Sequence, residues 1–251
     1  MLRAAWSGSL AFFLQILNGV AEHPNWISSF LRPGAKLGFF ARYLTLPPEA
    51  LARASLTSVW VRRSAIRPVP GYAKVQAYCL ESVRESLSED DEDARTQLDD
   101  AFERFERTQP ALANRVAEGL NKPLDETALA LGYFLTLAVW LAFEQAHSHH
   151  IDEVKAQEID ATEQLLALDE ELRRADPAEA LDSDDIIAME QPHLLEFVHE
   201  HIDSTLEAHA HDIDVDDVHA VYRVVLVEIL ALSYAVQRPA GYPMAKVELL
   251  A

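Results

Sequence analysis

The stretch Asp125-ETALALGYFLTLAVWLAFEQ-Ala146 decides the fold, because a second stretch, Asp214-VDDVHAVYRVVLVEILALSY-Ala235, repeats its pattern 89 residues later. At that shift Asp125 falls on Asp214, Tyr133 on Tyr222 and Leu137 on Leu226, while Leu141, Ala142 and Ala146 fall on Leu230, Ala231 and Ala235. Each stretch is preceded by a Gln-Pro pair, Gln109-Pro110 and Gln191-Pro192, set 82 residues apart. The second copy therefore carries seven extra residues before its long helix, around His209 and His211. The repeat spans 109–146 and 191–235 and implies two like helical hairpins packed with pseudo-symmetry.

These two helices read as the centre of a bundle rather than as membrane spans. Thr127 to Phe143 is a run of 17 uncharged residues, the lower limit for crossing roughly 30 Å of hydrocarbon. Acids flank it on both sides, and no Lys/Arg bias orients it. The sister helix carries Arg223 and Glu228 at equivalent depth.

Outward from the repeat, the charge is sharply divided. Of 251 residues, 41 are Asp or Glu and 21 are Lys or Arg, a net of −20. Residues 1–80 nevertheless carry +7, and residues 81–251 carry −27. The acidic part repels nucleic acid and anionic membrane; the basic part suits either, or lies against its own acidic partner. The single cysteine, Cys79, excludes an intrachain disulfide and a Cys-based zinc site, which fits a reducing, cytoplasmic location. The apolar run Leu10–Leu17 is too short for a secretory signal and lacks a small-residue cleavage site.

Two regions follow: a basic, apolar and aromatic helical segment over 1–88 and an acidic helical bundle over 89–251. The acidic run Glu89–Asp93 marks the boundary. A first helix is expected over 4–21, a Pro-initiated helix after Thr45, and a short strand over Ser58–Arg62. Val75, Cys79, Val83 and Leu87 recur at helical spacing. Further helices are expected near 91–107, 110–120, 125–148, 152–174, 184–210 and 214–237. Asp214 and Ser183-Asp184-Asp185 supply N-cap chemistry, and Pro110 and Pro192 suit a first helical turn or a kink. The fold class is all-α, a helical bundle containing two related hairpins with a basic helical N-terminal segment.

Histidine supplies the first candidate chemistry. Glu144/His147 and Glu196/His199 are Glu-x-x-His pairs, which at i,i+3 project from one helix face and can share a metal. Di-metal carboxylate bundles use such pairs, so iron, manganese or zinc is the cofactor this pattern would take. The pairs do not occupy equivalent repeat positions, and Glu190/His193 is interrupted by Pro192. The knot Asp212-x-Asp214-x-Asp216 lacks the Gly and closing Glu of a calcium loop. No Gly-rich phosphate loop and no Gly-x-Ser-x-Gly elbow occurs.

Glu228 interrupts an apolar run where the first copy has Val139, and no partner lies one turn away on its own helix. It either grazes solvent at a helix edge, pairs with an arginine of the basic segment, or lines a central pocket. Arg32, Lys36, Arg42, Arg62 and Arg63, interleaved with aromatic residues, are the basic surface candidates.

Apolar periodicity is plentiful and converging catalytic groups are few. The expected function is a non-catalytic cytoplasmic interaction or regulatory module that binds a protein partner or itself as a homodimer. The alternatives are a metal-binding helical oxidoreductase using Glu144, His147, Glu196 and His199, and attachment to nucleic acid or an anionic membrane through residues 30–67.

Overall fold

The computed structural model describes residues 64–88, 92–175, 182–209, 211 and 213–242, all within one unit of the chain. The helix expected over 4–21, the strand over Ser58–Arg62 and the basic candidates Arg32, Lys36, Arg42, Arg62 and Arg63 lie outside the described residues. Every regular element among the described residues is helical, which makes the fold all-α.

A 3-10 turn at Gly71–Ala73 leads through extended residues into α1, Ala77–Ser88, which buries Cys79, Leu80 and Val83. This helix, from the end of the basic segment, packs against the later helices Glu126–His147 and Pro192–Ala208. Next come α2, Glu92–Thr108, and α3, Pro110–Leu120, separated by Gln109 alone. Helix α4 is Glu126–His147, and Asp125 caps it by accepting from the Ala128 N–H at 2.8 Å. Substituting such a cap leaves a backbone donor unmet and costs about 1 kcal/mol. Ser148, at φ 46°, ends α4, and residues 151–155 run extended into α5, Ala156–Ala175.

The sequence pattern over 184–210 suggests one helix, but the structure has two: α6, Ser183–Glu190, and α7, Pro192–Ala208. The break falls at Gln191 because Pro192 offers no N–H and its ring collides with a preceding helical turn. Proline is accommodated at the first position of α7, as Pro110 is in α3. Helix α8, Val215–Ala235, is capped by Asp214, which accepts from the Asp216 N–H at 2.9 Å.

Helices α4 and α8 form the most extensive helix pair, surrounded by the others. They run parallel, because both ends are joined. At the start, Asp125 N–H donates to Asp217 Oδ2 at 2.7 Å and Asp214 N–H to Asp125 Oδ2 at 3.1 Å. At the end, Asp152 N–H donates to the Ala235 carbonyl at 2.9 Å and Gln237 N–H to the His150 carbonyl at 2.7 Å, around the isolated bridge Ile151–Val236. Gly132 permits the close approach: a Cβ there would sit 2.7 Å from Leu120 and 3.3 Å from Val221. By length and composition alone both helices could cross a membrane, yet 67% and 61% of their most apolar windows are buried inside the fold. They are its core helices.

Candidate functional site

The buried polar groups are the place to look for chemistry, since each must be satisfied or cost stability. Gln109 and Gln191 are buried at the two single-residue helix breaks, with nearly the same backbone, φ −132° and −130°. Their side chains do the same work. Gln191 Nε2 donates to the Ala73 carbonyl at 2.9 Å and its Oε1 accepts from Val75 N–H at 3.0 Å. Gln109 Nε2 donates to the Asp152 carbonyl at 3.0 Å and its Oε1 accepts from Val154 N–H at 2.8 Å. Each amide thus replaces a strand partner for an extended segment leading into α1 or α5. Gln191 also donates to Ser233 Oγ at 2.8 Å. Gln191→Ala strands a buried N–H and a buried C=O, so denaturant unfolding should show a loss of about 2 kcal/mol. Gln109→Ala should cost less, because its bond to the exposed residue Asp152 is only part-buried and the Val154 N–H is the one fully buried group it strands.

Asp169 on α5 is fully buried and accepts from Ser64 Oγ (2.7 Å), Ala65 N–H (2.8 Å), Arg173 Nε (2.8 Å) and Ser183 Oγ (2.7 Å). Burial alone would raise its pKa, but the hydrogen bonds from Arg173, Ser64, Ser183 and Ala65 outweigh it and hold the carboxyl below its ordinary value. This carboxylate ties residues 64–65 to α5 and α6.

The sequence-derived metal candidates are not gathered at one point. Glu144 forms a two-pronged pair with Arg104 of α2, both bonds at 2.9 Å. His147, one turn on, is half-buried near the Ala73 backbone. Burial lowers its pKa, while the Ala73 backbone acts in the opposite direction. Glu196 on α7 is 80% exposed, with His193 Nδ1 4.0 Å away. His199 Nε2 lies 2.7 Å from the Tyr222 hydroxyl. No group of three or more His, Cys, Asp or Glu among the described residues is placed to hold a metal ion. Tyr222 joins the His199 contact to Asp184 of α6; burial, then Asp184 and Asp185, raise its pKa. Burial likewise raises that of Asp184.

Glu228 is 0% exposed, on α8 facing α4. Neither of its oxygens has a hydrogen-bond partner among the described residues, and the same holds for Thr136 Oγ1 and Trp140 Nε1, one turn apart on α4. Burial drives its pKa well above the usual carboxylate value, with Thr136 the one polar neighbour acting against it. Burial without a described hydrogen-bond partner thus favours the neutral acid over the carboxylate.

The outer face of α5 is different in kind. Its inner stripe, Ile159, Thr162, Leu166 and Asp169, is buried. A second stripe, Ala161, Leu165, Leu168, Leu172 and Ala175, recurs with steps of four, three, four and three, turned about 120° from the first. Leu168 is 48% and Leu172 50% exposed, Ala161 and Ala175 are exposed, and Leu165 is half-buried. Ion pairs fix this rotation: Arg115 of α3 binds Asp160 and Glu163, and Arg223 of α8 binds Glu170. Sequence reading passes over this face because α5 carries two apolar stripes and periodicity alone does not say which one the core takes.

Among the described residues the chain is an all-α body whose helix α5 carries an outward apolar stripe. The chain matches no protein-family model, no curated protein and no solved structure.

Proposed function

We propose that this chain is a non-catalytic helical interaction module that holds another helix against the outer face of α5. One observation carries the reading: the seam from Ala161 to Ala175 has the four-three spacing of a helix-pairing surface and faces away from the body. Covering the exposed halves of Leu168 and Leu172 contributes about 2 kcal/mol before any polar contact is made. The groups that suggested chemistry are engaged within the fold, Glu144 with Arg104 and His199 with Tyr222. Arg67, at the end of the basic stretch, has its guanidinium 4.2 Å from the Tyr234 ring centre and so lies against the body.

The same reading treats the body as two related halves. Support comes from the paired Gln breaks, the paired Asp caps, and the matching way Gln191 brackets residues 73–75 and Gln109 brackets residues 152–154. A cytoplasmic setting suits the module, since its one cysteine is a buried free thiol.

In-cell photo-crosslinking tests the function. A photoreactive residue replacing Leu168 should capture one partner in stoichiometric yield, and the same group replacing exposed Asn114 on α3 should not. Equal capture from both sites, or none from Leu168, would contradict the proposal.

A further inference from the structure

Resting on that reading, we infer that the helix the seam takes is α5 of a second copy of this chain, lying antiparallel. The argument begins with spacing. From Ala161 to Leu172 the apolar steps are four, three and four, which read the same in both directions. A helix rises 1.5 Å per residue, so a reversed copy meets this run at matching heights throughout. Ala161 then faces the partner's Leu172, and Leu165 faces the partner's Leu168. A small residue meets a large one at each end, and leucine meets leucine in the middle, which is how facing layers interdigitate. A self-complementary patch of this kind generates a closed two-fold dimer rather than an open filament.

Charge selects the same register. Between Ala161 and Leu172 the exposed polar residues on the near flank of the seam are Gln164 and Glu171, with Gln157 and Glu158 one turn before it. In this pairing Glu171 lies beside the partner's Gln164, an amide that can donate to it. Shifting the copies by one layer, so that Leu168 faces the partner's Leu172, brings Glu171 against its own copy. The acids on the opposite flank, Asp160, Glu163 and Glu170, are already held by Arg115 and Arg223 and stay clear of the contact. A parallel pair would instead set Glu171 level with itself.

Each copy carries a net charge of −20, so the dimer forms against long-range repulsion. Salt shortens the screening length from about 10 Å at 0.1 M to about 3 Å at 1 M. Self-association through the seam therefore strengthens as salt rises, the opposite of what a basic partner helix would show. One helix face is small beside a standard interface of about 1,600 Å², so the dimer dissociates on dilution.

The experiment uses the purified full chain. Sedimentation velocity across concentration should show a reversible monomer–dimer equilibrium that shifts toward dimer with added salt and disappears in Leu168→Asp/Leu172→Asp. Cysteine pairing then reads the geometry, with native Cys79 buried and out of reach. A mixture of Ala161→Cys and Leu172→Cys chains should form a mixed disulfide roughly tenfold faster than either forms with Asn114→Cys, because the dimer raises the local thiol concentration. Each variant alone should not link to itself. Self-linking of Ala161→Cys alone would mean a parallel pair and overturn the inference. A chain that stays monomeric at every concentration and salt would overturn it too. In that case a different protein captured from Leu168 in cells leaves the interaction reading standing, and no capture removes both.

Discussion

Asp169→Ala should unfold the body about 3–5 kcal/mol more easily than the native chain at pH 7, because it removes the charged centre of a buried cluster and leaves its donors behind. Ser64 Oγ, the Ala65 N–H, Arg173 Nε and Ser183 Oγ all converge on this carboxylate. The Arg173 side chain is only 8% exposed, so its charge would remain in the fold without the counterion. Water can replace some bonds, but a cavity the size of a carboxylate cannot hydrate every donor. The acid side carries a second signature. The folded pKa of Asp169 lies below its ordinary value of 3.8. Its contribution is thus present in full above the unfolded pKa and is lost as pH falls through the folded value. The gap between native chain and variant should stay constant from pH 5 to 7 and close below about pH 4. Urea unfolding at several pH values measures it; a gap below 1 kcal/mol at pH 7 would mean that the cluster is not a strut.

Glu228→Gln should act in the opposite direction. In the folded chain burial raises the pKa of this carboxyl well above its ordinary value of 4.5, while in the unfolded chain it ionises normally. For an acid whose folded pKa is raised, stability is greatest below the unfolded pKa and declines as pH rises toward the folded one. As pH rises above 5 the native chain should therefore lose stability relative to Glu228→Gln, which has no proton to release, at up to about 1.4 kcal/mol per pH unit until the folded pKa is reached. The slope is the informative quantity, since the amide and the neutral acid differ in how well they fill the site. A difference that does not change with pH would show that Glu228 ionises inside the fold and has found a cation.

These two residues illustrate what the sequence makes legible. Glu228 stands out as a carboxylate within Val224–Leu232 at a position where the first copy has valine, so its oddity is visible from pattern alone. That no described residue hydrogen-bonds to it is not, because partners come from facing helices. Asp169 gives no such sign: in Leu166–Arg173 it reads as one acid among several on an ordinary solvated helix, and its donors lie as far as 105 positions away in the chain. Helix starts at Pro110 and Asp214 were legible from proline and cap, whereas the break before Pro192 was not, since 184–210 reads as one helix. The helix expected from 152 instead begins at Ala156, because Gln109 and the Val236 bridge hold residues 151–154 extended. Direction was also hidden. Periodicity identifies an apolar helix face but not whether two such helices run parallel, and the parallel course of α4 and α8 rests on hydrogen bonds at their ends. For the metal candidates, the i,i+3 spacing of Glu144 and His147 was real, but only the structure places Arg104 against Glu144.

The central claim is that the chain works through the outer face of α5, and its native mass tests this most directly. The untagged chain, taken from its own cells and concentrated above the range in which a dimer would dissociate, should travel in native mass spectrometry as a defined complex with a partner polypeptide, a second copy included. Leu168→Asp/Leu172→Asp should release it as a free monomer with an unchanged melting temperature, since both side chains are about half exposed and leave the core intact. A native chain that is already a free monomer, or a complex that survives the double substitution, would contradict the account.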